Sequence, residues 1–360
     1  MTETPLNALL HRVRDEIRAL GAYHVQDARG LLKLDAMENP YPLPAPVQER
    51  WCQTLSGVEV NRYPAPDAPA LMQALRQAMG IDPADQLLLG NGSDELIQII
   101  LMALARPGAS VLAVEPCFVM YRMIARFVGM DYVGVPLTAD FQIDLEETLA
   151  AIATCQPAVI FLAEPNNPTG NHYDPDAVRQ IIEAAPGLVV LDEAYLPFSD
   201  RHALHLLRQY PQVVVLRTLS KLGLAGLRLG LLVGHPALLA ELDKVRLPYN
   251  INGLTQAAAT LCLQHLGEFE AQAAQIRAER ERLYAPLRAL GLQPFPSSAN
   301  FILLRTPARQ ARRIFEGLKA QGILIKCTDG SHPLLADTLR LTVGRPEDNQ
   351  QVLAALRTLV

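Results

Sequence analysis

Seven short apolar runs punctuate the middle of the chain: Leu87–Leu89, Ser110–Val114, Tyr132–Val135, Ala158–Leu162, Leu188–Leu191, Val213–Leu216 and Leu229–Val233. Several lack any alternation of apolar with polar residues, so strands made from them must be buried on both faces. Helical or turn-rich segments separate the runs, and an α/β fold follows, with a mostly parallel central sheet flanked by helices. Ligands in such sheets bind beyond the carboxyl ends of the strands. Ser93, Asn167, Asp192 and Lys221 each stand just past an apolar run.

Lys221 lies in Thr218-Leu219-Ser220-Lys221-Leu222-Gly223-Leu224-Ala225-Gly226-Leu227-Arg228-Leu229-Gly230, between two core segments. Its stem can rest on apolar surface while its amine reaches water. Alternatively the amine is buried, which lowers its pKa as Schiff-base chemistry near neutral pH requires. These residues alone leave both readings open. Upstream, Gly90-Asn91-Gly92 forms a tight turn and Ser93-Asp94-Glu95 opens a helix expected to run to about Ala105. Backbone N–H groups at such a helix start make an anion site. The same segment outlines a rival, a dinucleotide-binding unit of an NAD(P)-dependent oxidoreductase with Glu115 on the ribose, although Glu95 stands where the third glycine belongs.

Three further pieces favour the lysine chemistry. Asn166-Asn167-Pro168-Thr169-Gly170, Asp192-Glu193-Ala194-Tyr195 and Ser220-Lys221 with Arg228 resemble the signature of the fold-type I aminotransferases that use pyridoxal 5'-phosphate. The likeness extends from Asn39-Pro40 to Arg340, and within the family it is strongest to the branch that acts on L-histidinol phosphate. The resemblance implies a large cofactor-binding domain with a smaller α/β domain. It also implies transamination between L-histidinol phosphate and 2-oxoglutarate, giving imidazole acetol phosphate and L-glutamate in histidine biosynthesis. An aromatic aminotransferase or a threonine-phosphate decarboxylase of the same fold would share nearly the same cofactor shell.

Residue by residue, the resemblance makes Lys221, Asp192 and Tyr195 catalytic. Lys221 carries the cofactor and moves a proton, Asp192 faces the pyridine nitrogen, and Tyr195 with Asn167 donates to the ring oxygen. Ser93, Asp94, Ser220 and Arg228 bind the phosphate, and Phe118, in Cys117-Phe118-Val119-Met120-Tyr121, stacks on the ring. Tyr63, in Asn61-Arg62-Tyr63-Pro64, serves the neighbouring subunit's cofactor, which implies a homodimer. Tyr23, Asn39, Lys326 and Arg340 meet the substrate. Arg340 reads as an edge-strand arginine, a position usually solvated, so its role comes from the resemblance alone. Lys326 replaces an arginine common in relatives and gives up the bidentate fork. Gln351 falls near where some members carry a further arginine, and the Lys221 to Arg228 spacing is one residue shorter than in some.

At 360 residues the chain is long enough for a large domain and a satellite. The expected division is an arm at 1–45 packing with the small domain, a large cofactor domain at 46–250, and linking helices with the small domain at 251–360. Residues 5 to 20 carry an apolar stripe, Leu6, Leu9, Leu10, Val13, Ile17 and Leu20, and predict one amphipathic helix. A long helical stretch is expected over 254–290. Small-domain strands are expected at Asn300–Leu304, Gly322–Ile325 and Thr338–Val343, with helices near 308–320 and 347–358. A net charge of -5 argues against nucleic acid. Five scattered cysteines argue for reduced thiols in a cytoplasm and for no metal site. No apolar run approaches the roughly 20 residues that span a bilayer.

Overall fold

The computed structural model describes residues 5–22 and 25–360. Its N-terminal part departs from the single expected helix. Two short helices, α1 (Pro5–Leu10) and α2 (Asp15–Arg18), take its place, and Leu6, Leu9, Leu10 and Val13 are exposed. A helix this short draws its stability from packing of its apolar face, and within one chain that face has little to pack on. A two-residue strand, β1 (Leu32–Lys33), then pairs in parallel with a strand near residue 323, and Met37 N–H donates to Thr342 Oγ1 at 3.1 Å. Helices α3 (Ala45–Ser56) and α4 (Pro69–Met79) were hidden by their prolines. Pro46 and Pro69 occupy the first turn of each, where a missing N–H costs nothing.

The seven apolar runs form one sheet: β2 (Gln86–Gly90), β3 (Ser110–Glu115), β4 (Asp131–Pro136), β5 (Val159–Ala163), β6 (Leu188–Asp192), β7 (Val213–Thr218) and β8 (Gly230–Gly234). Their order is β2-β8-β7-β6-β5-β3-β4, and β8 alone runs against its neighbours. Alternate side chains enter two different cores. Val111, Val159, Phe161, Val190 and Val214 pack with α5 (Ser93–Leu104) and α6 (Met120–Val128). Leu112, Ile160, Leu162, Val189 and Val215 pack on the other face with α8 (Pro175–Ala184), the next helix after α7 (Leu145–Cys155). This two-sided burial is why the runs lack alternation. The order also removes the dinucleotide reading, since β2 and β3 lie five places apart rather than adjacent.

After α9 (Pro236–Asp243) the expected helical stretch consists of two helices, α10 (Gly253–Gln264) and α11 (Leu266–Ala289), divided at His265, whose backbone leaves helical geometry. The break lets α10 pack against α3 and α4 while α11 joins a separate core. That core is completed by β9 (Gln293–Pro294), β10 (Phe301–Arg305), α12 (Ala311–Ala320), β11 (Ile323–Leu324), β12 (Lys326–Cys327), β13 (Thr338–Thr342) and α13 (Pro346–Leu356). Four of these strands form a sheet in the order β12-β13-β10-β9. Arg340 therefore sits on an inner strand, not an edge, and is buried. Among the described residues no helix is long and apolar enough to cross a membrane.

Candidate active site

One cavity beyond the carboxyl ends of the large sheet gathers Ser93, Asp94, Phe118, Asn167, Asp192, Tyr195, Ser220, Lys221 and Arg228. At one end α5 begins without a side-chain cap, so its first amides have no partner within the helix. Glycines permit the close approach. A Cβ on Gly92, whose φ is +84°, would stand 2.6 Å from Arg228 Nη2, and one on Gly230 would stand 2.7 Å from Ser93 N. Arg228 lies 3.3 Å from Asp94 Oδ2. Thr218 Oγ1 accepts from Ser220 N–H at 3.1 Å and lies 2.9 Å from the Ser220 hydroxyl. Helix amides, two hydroxyls and a guanidinium make a donor set for a dianion.

Lys221 follows β7 in a short irregular turn, Ser220–Leu224. Its Nζ donates to Ala36 O at 3.1 Å and lies 5.7 Å from the centre of the Tyr195 ring. Burial, reinforced by the charge of Arg340, lowers its pKa to about 8. At pH 7.5 roughly a quarter of such amines are neutral, against about one in a thousand for an ordinary lysine. Asp192 ends β6, fully inside the protein. Its Oδ2 accepts from Tyr121 Oη at 2.6 Å and its Oδ1 from Ala194 N–H at 3.0 Å. Burial lifts its pKa to about 6 against the pull of those two hydrogen bonds. Burial also raises the Tyr195 phenol, which keeps its proton and remains a donor.

Asn167 Oδ1 accepts from Arg340 Nη1 at 2.5 Å, which leaves its amide hydrogens as its remaining donors. Arg340 Nη2 donates to Asp35 O at 2.9 Å. A neighbouring cavity of about 520 Å³ shares Met37, Phe118 and Asn167 with the first and adds Arg340 and Lys326. Lys326 and Arg340 face each other directly across β12 and β13.

Three candidates stand apart. Asn39 does not line either of these cavities: its amide donates to Leu222 O at 2.9 Å and to Gln272 Oε1 at 3.1 Å, and its Oδ1 accepts from Tyr41 N–H. It braces the turn that carries Lys221. Tyr63 is exposed and stacks on Tyr249 with ring centres 4.5 Å apart. Tyr23 lies outside the described residues. Conversely, sequence reasoning passed over Tyr121, Thr218 and Asn166. Asn166 Nδ2 donates to Pro116 O and Thr169 Oγ1, tying its loop to the end of β3. Tyr121 had a signal, because it follows Phe118 by three residues, a spacing that puts both on one side of a helix start.

Residues 29–356 match the family of class I and II aminotransferases. The chain belongs to that family. It is 55% identical over 346 residues to a histidinol-phosphate aminotransferase of Chromobacterium violaceum, covering 96% of this chain and 97% of the relative. It is 52% identical to histidinol-phosphate aminotransferase 1 of Ralstonia nicotianae, covering 97% and 95%. Among solved structures, the histidinol-phosphate aminotransferase of Sinorhizobium meliloti in complex with pyridoxal-5'-phosphate superposes with a TM-score of 0.87 at 28% identity, covering 97% of each chain. The aminotransferase fold places the cavity of Lys221 where the large sheet ends, as the strand pattern required.

Proposed function

We propose that this aminotransferase moves the amino group between L-histidinol phosphate and 2-oxoglutarate, using pyridoxal 5'-phosphate, in histidine biosynthesis. The observation that carries the reading is a buried, easily neutralised lysine in one cavity with a buried carboxylate, in a chain more than half identical to a protein named for that reaction. The cavity fits the cofactor. The donors at the start of α5 with Ser220 and Arg228 match its phosphate, Asp192 offers a carboxylate to a ring N–H, and Tyr195 and Asn167 offer donors to a ring oxygen. When bound, the group supplies an electron sink for the bond broken at the substrate α-carbon.

The side chains divide the remaining work. Lys221 Nζ would hold the cofactor and, when free of it, would take and return the proton at the substrate α-carbon. Asp192 would keep the ring nitrogen of a bound cofactor cationic by its charge. Arg340 binds the acidic end of each substrate, and Lys326, opposite it, adds a contact to the phosphate of histidinol phosphate. Residues 1–45, 46–250 and 251–360 are read as arm, large domain, and linking helices with the small domain. The enzyme is taken as cytoplasmic, in keeping with its five free cysteines.

Steady-state assays with 2-oxoglutarate as acceptor test the substrate. The wild-type protein should prefer histidinol phosphate to phenylalanine and to threonine phosphate. Losing one hydrogen bond to a charged group, about 1.5 to 3 kcal/mol, should make Lys326→Ala lower kcat/KM for histidinol phosphate by roughly 10- to 100-fold and spare phenylalanine. Wild-type preference for phenylalanine, or equal losses with both donors, would favour an aromatic aminotransferase.

The acidity of Lys221 gives a second test. The neutral amine is the reactive form, so capture of pyridoxal phosphate by the apoprotein should speed up as pH rises, with half-maximum near the lowered pKa of about 8. Borohydride trapping at a series of pH values reads this directly. A midpoint at the ordinary lysine value of 10.5 would contradict the buried-amine reading.

The proposal includes a homodimer, because Tyr63 is exposed and does not line its own cavity. Tyr63→Ala and Lys221→Ala chains, each inactive alone, should regain activity when mixed, since one hybrid site then holds both native residues. Hybrids that form but stay inactive would rule out a site shared across subunits.

A further inference from the structure

We propose that Tyr121 is a positioning residue of this site: its hydroxyl, donated to Asp192 Oδ2 at 2.6 Å, fixes the carboxylate's orientation and holds it in the anionic form that a cationic ring nitrogen needs. The proposal rests on the reading of the cavity as a pyridoxal phosphate site. Tyr121 is completely buried on α6, and its ring stacks on Phe161 of β5 with centres 4.4 Å apart and planes 10° apart. Phe118 meets its edge at 5.6 Å. Two rings thus set the phenol, and the phenol sets the carboxylate. Burial holds the Tyr121 proton in place at any working pH, so the hydroxyl acts only as a donor toward Asp192.

The surroundings of Asp192 make that donor matter. Desolvation, Asp94 at the start of α5 and the adjacent Glu193 all favour the protonated acid. Glu193 is itself engaged by Arg217 Nε at 2.7 Å, so that guanidinium is committed elsewhere. Tyr121 and the Ala194 N–H pull the other way. With a basic ring nitrogen alongside, one proton is shared between carboxylate and ring. A donor on Asp192 favours the ion pair, with the proton on nitrogen. Removing it moves the proton to the carboxylate and weakens the electron sink without touching substrate or phosphate contacts.

The test is NMR of the holoenzyme reconstituted with cofactor labelled with nitrogen-15 in its ring. The wild-type resonance should lie at the pyridinium position. Tyr121→Phe keeps the stacked ring but loses the hydroxyl, and its resonance should move toward neutral pyridine, reporting a proton-sharing equilibrium shifted roughly tenfold or more. Its kcat should fall about tenfold or more with KM nearly unchanged. Phe161→Leu removes the stacking partner and keeps the hydroxyl, so it separates packing from hydrogen bonding and should retain the pyridinium resonance. A wild-type resonance position in Tyr121→Phe, or an equal displacement in Phe161→Leu, overturns the proposal. Failure of the wild-type chain to take up the labelled cofactor would instead overturn the reading of the site beneath it.

Discussion

Lys221→Ala should lower kcat by about 10⁴-fold or more while the protein stays folded and still takes up pyridoxal phosphate. Proton transfer by a positioned side chain contributes roughly 10² to 10⁴, and the same amine also carries the cofactor, so one truncation removes two functions. The fold should survive because Lys221 Nζ makes a single hydrogen bond, to Ala36 O, whose loss leaves a carbonyl rather than a buried charge. Cofactor uptake should persist through the α5 amides, Ser220 and Arg228, which do not depend on the lysine. The measurement is a kcat determination on tagged protein freed of host enzyme, with absorbance to follow the bound cofactor. Appreciable turnover would remove Lys221 from the mechanism. A protein that turns nothing over because it no longer binds the cofactor would show that the phosphate donors alone do not anchor it.

Arg340→Ala should damage both halves of the reaction. The guanidinium contacts Asn167 Oδ1 and Asp35 O from an inner strand, and its charge lowers the pKa of Lys221. Two charge-assisted hydrogen bonds from the guanidinium to a substrate's acidic group, at about 1.5 to 3 kcal/mol each, amount to roughly 10² to 10⁴ in kcat/KM. The loss should be similar for histidinol phosphate and for 2-oxoglutarate, because each presents its acidic group there, in contrast to the selective loss expected of Lys326→Ala. The sign of the second effect is also defined. Removing a neighbouring positive charge raises the pKa of Lys221, so the pH midpoint of cofactor capture should move upward. A loss confined to one substrate, or an unmoved midpoint, would show that Arg340 acts only as structural support.

The contrast between Lys221 and Asn39 shows how much of the site was legible. Both belong to segments that resemble the family, and both were assigned to the site. Lys221 follows a run whose two buried faces leave the strand one place in the sheet, and its cavity follows from strand order. Asn39 lies in a connecting segment with no periodicity, and there a hydrogen-bonding side chain takes whatever partner the fold brings near, here Leu222 O and Gln272. Tyr121 was passed over for a related reason, since its hydroxyl has a purpose only once the start of α6 sets it against Phe161 of β5 and Asp192 of β6. Local pattern reports burial and period. It does not report which polar atom meets which.

The sequence by itself determined the α/β class, the parallel core, and the row of Ser93, Asn167, Asp192 and Lys221 at the strand ends, because buried strands need continuous apolar runs and the polar residue after such a run has to emerge at the sheet's edge. Tertiary structure alone decided the rest. It split the long helical stretch at His265 so that α10 and α11 could serve different cores, moved Arg340 from a supposed edge to an inner strand opposite Lys326, and broke the expected N-terminal helix into α1 and α2 with Leu6, Leu9 and Leu10 exposed. Each of these depends on contacts between segments far apart in the chain, and the energy of such contacts is absent from any local stretch of residues.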